Sequence, residues 1–306
     1  IGRRSNLQKI SDRYYNYFSS FQVLKGTNKD DWFEIERKPN GETEIKIYRI
    51  KNGDKGKKIH DKTYSNKETK EIWLYGLDDE DTFKIKGQNA TNPIKLVLIG
   101  GLDNDYYDIP LKKKVKVYDQ KSKKNTFSTT TKVKTKFTDD YNTNTYDYLK
   151  LKGTTNTLLP NLGYNPDDGI KIGAQFSSTH KGFERNPFTN KHKLSGNYYF
   201  ATQGFEFSYT GEFANFINKW NLGIEANLNS PNFARNFFGF GNHSINEEPD
   251  QENIDFDFNR VRIGKIQLGT FLKWRGTLGA TVKLSASYQN FDVERKLTDS
   301  ILLEVF

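Results

Sequence analysis

Strict alternation of apolar and polar residues is the feature that most constrains how this chain can fold. Downstream of about Tyr146, long segments place an apolar side chain at every second position. Only a β-strand with two different faces requires a period of two. The alternating segments are 170–177, 194–200, 205–213, 220–228, 260–274 and 277–288, preceded by a short strand at 146–152 and a loop through Pro160 and Pro166. Within 260–274 the phase changes near Lys265, which predicts a β-bulge.

Strand length separates two architectures that share this alternation. A soluble sandwich buries its apolar face against a second sheet, and a membrane β-barrel turns that face toward lipid. The predicted strands have roughly ten to fifteen residues, whereas strands of soluble proteins average about five to six. Short links such as 202–204 also alternate with long polar loops. We therefore interpret 146–306 as about the first half of an antiparallel transmembrane β-barrel.

The composition agrees with a β-barrel and disfavours other classes. With 34% hydrophobic and 28% charged residues in 306, and no Cys, the chain lacks both a large soluble core and a disulfide framework. A barrel strand needs only every second residue to face lipid. The net charge of +9 is spread over lysines interleaved with acidic residues. Since no nucleic-acid motif gathers these lysines, no nucleic-acid partner is expected.

A repeat organises the amino-terminal part. A frame of Gly, four residues, Asp, any residue, an aromatic residue, any residue and Ile occurs three times, at 26–35, 76–85 and 100–109. An apolar strand precedes each copy, at 21–24, 72–75 and 94–99, and two further strands are predicted at 44–50 and 115–118. Such spacing is typical of stacked strand-turn-strand rungs. We predict a small β-roll or solenoid-like domain over 21–127.

The remaining segments are predicted to connect these domains. Residues 1–20 are basic and then aromatic with weak periodicity, and are interpreted as a lead-in tether. Residues 128–145 are rich in Lys, Thr, Ser and Asn and are interpreted as a linker, although weak alternation in 131–137 would also suit an extended crossing segment. The sequence contains no Met and no signal peptide, so we expect it to be a piece of a longer, exported polypeptide.

The turns of the repeat contain the candidate metal ligands. The run 100–107 resembles the calcium-binding nonapeptide of repeat-in-toxin proteins, in which Gly permits the turn and Asp supplies oxygen ligands. The candidate Ca²⁺ ligands are Asp79, Asp81, Asp103 and Asp105. In the alternative interpretation, Gly supplies a positive φ and Asp caps the turn by accepting backbone N–H groups.

Several runs in the second half resemble a known family. Residues 164–176, 211–215, 219–226 and 230–242 resemble the bacterial surface-antigen, or BamA-like, outer-membrane β-barrel superfamily. More narrowly, they resemble the barrel of Bacteroidetes proteins that carry a calcineurin-like metallophosphoesterase domain ahead of it. The repeat region is similar to the β-rich segment between those two parts. The most specific run comprises Asn236, Phe237, Phe238, Gly239, Phe240, Gly241 and Asn242.

The resemblance implies a barrel of about sixteen strands in the outer membrane, with a periplasmic or surface-exposed β-domain. The implied partners are outer-membrane lipid and other outer-membrane or assembly-machinery subunits. The expected role is that of a membrane anchor or scaffold, accessory to outer-membrane protein insertion or envelope maintenance. One alternative is the anchor of a metallophosphoesterase whose catalytic domain lies outside this chain. Another is a soluble all-β binding module or adhesin.

No catalytic site is expected within these residues. A two-metal phosphoesterase needs clustered His, Asp and Asn ligands. The chain has four His and neither an Asp-x-His nor a Gly-His-x-His motif. The run 241–243 matches a Gly-Asn-His metal motif, but Ser244 stands where an acidic residue should follow, so we interpret the match as coincidence. Glu206, Glu212 and Glu225 lie on polar strand faces, where they could line a lumen or simply contact water.

Overall fold

A computed structural model describes residues 2–129, 132–236, 260–276 and 278–293. The chain divides into two compact units, a first unit of residues 1–150 and a second of residues 151–306. Strands dominate both units, so the predicted all-β fold class is confirmed. Neither helix in the described part of the chain is both long and apolar enough to cross a membrane.

The first unit contains two helices and eleven strands in its described residues. In chain order they are α1 (Gly2–Ser19), β1 (Phe21–Lys25), β2 (Asp31–Arg37), β3 (Glu42–Lys51), β4 (Asp54–Ser65), β5 (Glu71–Leu77), β6 (Thr82–Gly87), β7 (Lys95–Gly101), β8 (Tyr106–Asp108), β9 (Val115–Asp119), β10 (Thr126–Phe127), β11 (Lys134–Phe137) and α2 (Tyr141–Asn144).

The strands of the first unit form two sheets. The first sheet has the order β1-β5-β7-β9-β11 and is parallel throughout. The second has the order β10-β8-β6-β2-β3-β4 and is parallel from β10 to β2. We define a rung as one strand of the first sheet and the strand of the second sheet that follows it, namely β1–β2, β5–β6, β7–β8 and β9–β10. Equivalent strands of successive repeat copies therefore pair in parallel, whereas the β-roll or solenoid-like domain stays a prediction.

The aromatic position of the repeat builds a column through the core. Phe33, Phe83, Tyr107 and Phe127 lie one above another, with ring centroids 4.4, 5.2 and 4.9 Å apart. Such offset stacks add stabilisation to the burial of large apolar surface. The Ile position of the repeat is also fully buried in this core. The repeat frame is thus conserved from rung to rung because each side chain packs on its equivalent.

A buried arginine ties the far ends of the rungs together. The guanidinium of Arg37 donates to Asn89 Oδ1 at 2.6 Å, to the Lys113 carbonyl at 2.5 Å and to the Ile94 carbonyl at 2.8 Å. Burial lowers the pKa of Arg37 to about 10, which leaves it charged at neutral pH. Its hydrogen bonds join two successive connections, the one between β6 and β7 and the one between β8 and β9, to one side chain.

The segment predicted as a tether is helical. Residues 3–19 contain neither Gly nor Pro, and α1 extends through them to Ser19. Helical segments repeat their apolar residues at three and four positions, so a scan for a period of two does not detect them.

The predicted linker at 128–145 belongs to the first unit. Strand β11 pairs in parallel with β9, which supports the crossing-segment alternative for 131–137. Helix α2 packs against β7 and β9, and the ring of Tyr146 contacts Tyr75 at 5.4 Å. The first sheet buries both of its faces, and the segment is ordered because it covers the face that carries Tyr75 and Tyr118.

The second unit contains eight strands in its described residues: β12 (Gly153–Asn165), β13 (Gly169–Lys181), β14 (Asn190–Tyr199), β15 (Gly204–Ile217), β16 (Trp220–Asn229), β17 (Ala234–Asn236), β18 (Arg260–Arg275) and β19 (Thr281–Val293). They form one antiparallel sheet of order β12-β13-β14-β15-β16-β18-β17, with β19 paired to the other side of β18. Over the described residues β12 and β19 do not pair, so this sheet is not closed.

Two details of this sheet differ from the sequence prediction. The first strand lies at 153–165, where a loop was predicted because of Pro160. Pro160 faces Ala174 across the β12–β13 pair, and β12 is an edge strand, where a missing N–H can point away from the partner. The bulge predicted near Lys265 is absent from the β18–β19 ladder, which runs without a register shift from Ile263 to Arg275.

Candidate functional site

A column of buried carboxyl groups runs through the turns of the first unit. Asp31, Asp81 and Asp105 occupy the Asp position of the three repeats, and each is at most 3% exposed. The N–H of Asp31 donates to Asp81 Oδ1 and the N–H of Asp81 donates to Asp105 Oδ1, both at 2.8 Å. The N–H of Asp105 donates to Asn125 Oδ1 at 2.9 Å. The side chains of Asp81, Asp105 and Asn125 therefore each accept a backbone N–H from the preceding rung.

The glycine of the repeat makes room for this carboxyl group. A Cβ added at Gly26 would lie 2.6 Å from Asp31 Oδ2. At Gly76 and Gly100 the added carbon would overlap the carboxylates of Asp81 and Asp105. Gly76 and Gly100 do not have a left-handed φ, so the requirement at these positions is space and not backbone freedom. Gly and Asp keep this spacing in the repeat because the Asp side chain folds back onto the end of the strand that precedes its turn.

The column is short of hydrogen-bond donors. Within the described residues, Asp81 Oδ2 and Asp105 Oδ2 are buried without a hydrogen-bond partner. Burial, followed by the charge of Asp105, raises the pKa of Asp81 to about 10. Burial, followed by the charge of Asp119, raises the pKa of Asp105 to about 9. Asp81 is therefore protonated and neutral at pH 7.

Two other carboxyl groups extend the column. Burial raises the pKa of Asp31 too, opposed by hydrogen bonds from Thr27 and by the charge of Arg49, whose Nη1 lies 3.6 Å from Asp31 Oδ1. Asp119 accepts a hydrogen bond from the Tyr107 hydroxyl at 2.6 Å. Burial raises the pKa of Asp119 to about 6. We call Asp31, Asp81, Asp105 and Asp119 the acidic column.

Sequence reasoning missed Asp119 and the fourth rung. In that rung Gln120 stands at the Gly position, Asn125 at the Asp position, Phe127 at the aromatic position and Thr129 at the Ile position. Asn125 and Phe127 still make the equivalent contacts. The spacing alone could have identified this rung: the Asp position follows the Gly position by five residues, and the aromatic position comes two residues later. A search would have had to allow amide side chains in place of Gly and Asp.

The four predicted calcium ligands separate into two pairs. Asp81 and Asp105 lie in the acidic column, whereas Asp79 and Asp103 lie on the outer side of the turns. The N–H of Asp79 donates to Asp103 Oδ2 at 3.3 Å, and Lys123 Nζ donates to Asp103 Oδ1 at 2.7 Å. Lys29 Nζ lies 3.5 Å from Asp79 Oδ2. Lysines therefore already neutralise the negative charges of Asp79 and Asp103.

This arrangement favours the capping role that the alternative gives to Asp, whereas Gly76 and Gly100 lack the positive φ that it gives to Gly. No three His, Cys, Asp or Glu side chains in the described ranges are grouped so that they could hold a metal ion. The inner carboxyl groups accept backbone N–H groups, as the alternative predicts, and the outer ones face ammonium groups. The Ca²⁺ site stays a prediction.

The second unit presents an apolar surface that we call the outer face. Its side chains alternate along every long strand, and register places them in rows across the sheet. One row joins all seven long strands: Leu158, Phe176, Leu194, Tyr209, Ala226, Leu268 and Tyr288. Neighbouring rows add Leu162, Ile172, Tyr198, Phe205, Phe207, Ile266 and Leu284, and most of these side chains are exposed, Leu268 by 56%.

The opposite face of the same sheet is polar and internally paired. Glu212 is buried, accepts a hydrogen bond from Asn221 Nδ2 at 2.8 Å, and lies 3.3 Å from Arg275 Nη2 and 3.7 Å from Lys273 Nζ. Glu225 contacts Lys283 Nζ at 3.0 Å. The three glutamates assigned to the polar face by the sequence pattern lie there, and Glu206 accepts a hydrogen bond from Asn197.

The hydrophobic core of the described residues belongs to the first unit. Every residue of the core cluster lies between 33 and 117. The second unit buries isolated apolar side chains, such as Phe271 packed on Gly223, its partner across the β16–β18 pair. Among the described residues the apolar face of this sheet is largely exposed, and a large exposed apolar surface marks a site of interaction.

Most of the predicted signature run lies outside the described residues. Asn236 ends β17 and pairs with Arg260 on β18. Phe237, Phe238, Gly239, Phe240, Gly241 and Asn242 fall in the undescribed range, together with His243.

Comparisons with known proteins identify no relative of this chain. No protein-family model matches it, no curated protein matches it, and no solved structure matches it.

The contact between Gly76 and Asp81 predicts the effect of adding one methyl group. We expect Gly76→Ala to destabilise the first unit by about 1–3 kcal/mol, because the new carbon overlaps the Asp81 carboxyl group and the Gly100 carbonyl. Hydrogen exchange of peptides from β5 to β8 in the whole chain measures this loss. Gly196→Ala is the control, since an added Cβ there meets no atom within 4 Å. Unchanged exchange in Gly76→Ala would contradict the packing described above.

The buried proton on Asp81 predicts how stability depends on pH. Between the ordinary pKa of 3.8 and the raised pKa of about 10, folded Asp81 keeps a proton that the unfolded chain releases. Asp81 alone should therefore lower the free energy of unfolding of the first unit as pH rises through this window, by up to about 1.4 kcal/mol per pH unit. The raised pKa of Asp105 adds a slope of the same sign, so Asp81→Asn should make the profile between pH 6 and 9 less steep without removing its slope.

Asp103→Asn is the matched control for this experiment. Its hydrogen bond from Lys123 lowers the pKa of Asp103, so its contribution is present at high pH and is lost as pH falls through the lowered pKa. The alkaline slope should be unchanged in this variant. Hydrogen exchange corrected for the intrinsic pH dependence of the amide reaction gives the slopes, and equal slopes in Asp81→Asn and the parent chain would refute a buried proton on Asp81.

Proposed function

We propose that the second unit is part of an outer-membrane β-barrel and that the chain acts as a membrane anchor or scaffold. The observation that carries this proposal is the outer face, an exposed apolar surface that extends across seven long strands in register. Lipid is the environment that matches a surface of this size, because large exposed apolar patches are rare on soluble monomers. The resemblance of the sequence to BamA-like barrels points in the same direction.

The energetics of the two faces support a lipid location. Transfer of one Leu, Ile, Phe or Val side chain from water to an apolar environment is worth about 1.5–3 kcal/mol. The long strands have between 10 and 16 residues, and a membrane-spanning strand needs about 9–11. The polar face, with Glu212 held by Asn221 and Arg275, suits the interior of a barrel, where charged side chains pair with one another.

A barrel in lipid also needs its edges paired. Unpaired backbone N–H and C=O groups cost several kcal/mol each in the hydrocarbon region. We therefore propose that β12 and β19 pair with further strands beyond those described, in agreement with a barrel of about sixteen strands. Those strands could belong to the same polypeptide or to a partner outer-membrane subunit.

The first unit fits the role of a short solenoid-like or β-roll domain outside the bilayer. Its stacked rungs have a packed apolar core, and lysines alternate with acidic residues on the surface of the second sheet, as in the pairs that Lys55 and Lys86 form with Glu34. We propose a periplasmic or surface-exposed location for it. The alternative of a phosphoesterase anchor assigns catalysis to a domain outside 1–306.

A pair of neighbouring substitutions tests the lipid assignment. Leu268 points to the outer face and Gln267 to the polar face of β18. We expect Leu268→Arg to reduce the fraction of chain folded into the outer membrane at least tenfold, since an arginine on the lipid face near the midplane costs about 2–4 kcal/mol. Gln267→Arg should fold as the parent chain does. The measurement is the amount of native protein in the outer-membrane fraction.

The location of the parent chain decides between the proposal and its soluble alternative. Extraction that requires detergent is the expected result. Native protein in the soluble fraction without detergent, with equal yields for both arginine variants, would overturn the membrane proposal and favour a soluble binding module.

A further inference from the structure

Helix α1 has an exposed apolar face. Leu7, Ile10, Tyr14, Tyr17 and Phe18 are between 49% and 68% exposed. Their spacing of three, four, three and one positions confines them to an arc of about 100° around the helix axis. The rings of Tyr14 and Phe18 stack at 6.3 Å and those of Tyr17 and Phe18 meet edge to face at 5.5 Å. We call these five residues the helix face.

The carboxyl-terminal end of α1 is fixed to the first unit by residues outside the helix face. The Tyr15 hydroxyl donates to Glu68 Oε2 at 3.0 Å, and Thr69 Oγ1 donates to the Ser19 carbonyl at 2.9 Å. Lys70 N–H donates to the Ser20 carbonyl at 2.8 Å. Tyr15 lies about 100° around the axis from Tyr14, so these contacts hold the helix while they leave its apolar side uncovered.

Basic residues border the helix face on both sides. Arg4 and Arg13 each lie about 40° beyond one edge of the apolar arc, and both are exposed. The helix contains Arg3, Arg4, Lys9 and Arg13 against one acidic residue, Asp12, which gives four positive charges minus one negative, a net charge of +3. An apolar stripe of Tyr, Phe, Leu and Ile between arginines is the pattern of helices that lie in a membrane interface.

We propose that α1 lies on an anionic phospholipid surface, with the helix face in the boundary between headgroups and acyl chains and with Arg4 and Arg13 on the phosphates. The charge decides for lipid over a second copy of this chain, since two helices of net charge +3 repel each other. A negatively charged membrane attracts each Lys or Arg near its surface by about 1 kcal/mol, which corresponds to about fivefold in the ratio of bound to free helix. The proposal concerns residues that the membrane anchor of the second unit does not use.

The absence of Cys from the chain allows single-cysteine labelling of the whole protein. Tyr14→Cys places an environment-sensitive fluorophore on the helix face, and Asn16→Cys places it on the opposite side of the helix. Each labelled chain is reconstituted into vesicles of equimolar phosphatidylglycerol and phosphatidylcholine, or of phosphatidylcholine alone. We expect a blue-shifted emission for Tyr14→Cys in the anionic vesicles, little shift in the neutral ones, and none for Asn16→Cys.

Charge removal tests the role of the arginines. Arg4→Ser and Arg13→Ser, each in the Tyr14→Cys background, should lower the ratio of lipid-bound to free helix about fivefold. Arg235→Ser, a substitution of an exposed arginine in the second unit, is the control and should leave the ratio unchanged. A blue shift of equal size in both kinds of vesicle, insensitive to Arg4 and Arg13, would overturn the anionic-surface proposal.

A third label separates this proposal from the anchor function. Ile172→Cys reports from the outer face of β13. If the Ile172 label is in lipid and the Tyr14 label stays in water, the proposal for α1 is wrong and the anchor proposal stands. If the Tyr14 label is in lipid and the Ile172 label is not, the proposal for α1 stands and the anchor proposal is wrong. A blue shift of the Tyr14 label without vesicles, increasing with protein concentration, would identify a second copy as the occupant and also overturn the proposal.

Discussion

The hydrogen bond from one repeat Asp N–H to the carboxyl group of the next rung is the interaction on which the first unit depends. It satisfies a buried N–H in a turn, where the neighbouring strands of the sheets supply no carbonyl, and an unsatisfied buried group of this kind costs free energy. The acceptor must therefore recur in every rung. Because it is buried, the carboxyl group needs the space that Gly76 and Gly100 leave, and that of Asp81 keeps its proton because no cation reaches it among the described contacts.

The two units solve the same problem of an apolar strand face in opposite ways. In the first unit Phe33, Phe83 and Tyr107 stack on one another between two sheets and exclude water. In the second unit Leu158, Leu268 and Tyr288 remain exposed, while the charged side chains of the other face pair internally. A sheet with paired charges on one side and exposed aliphatic groups on the other is inverted relative to a soluble domain. This inversion is the physical basis for the proposal that the two units have different surroundings.

The strands and the stacking of the repeats could be predicted from the sequence because both depend on local periodicity. Alternation of Ile170, Ile172 and Phe176 with polar residues specifies β13 without knowledge of its neighbours. The position of Pro160 within a strand could not be predicted, since tolerance of a proline depends on the pairing of β12, which among the described strands has a partner on one side only. Asp119 was missed for a similar reason: its burial follows from contact with Tyr107 of another rung, and that contact leaves no trace in spacing along the chain. The alternation of residues along a strand likewise does not show what covers the outer face.

The hairpin of β3 and β4 shows how the first unit accepts extra sequence. It is inserted between the first and second rungs, yet β2 and β6 remain direct partners, with Phe33 opposite Phe83. The hairpin turns at Asn52 and Gly53, whose φ values of 53° and 83° are those of a two-residue turn that favours this dipeptide. Because the rungs pair directly and Asn52 at the tip of the hairpin is exposed, this tip is a natural place to lengthen the chain. An epitope or reporter sequence placed at Asn52 would be carried by the hairpin alone, which offers a handle for detecting the protein without disturbing its core.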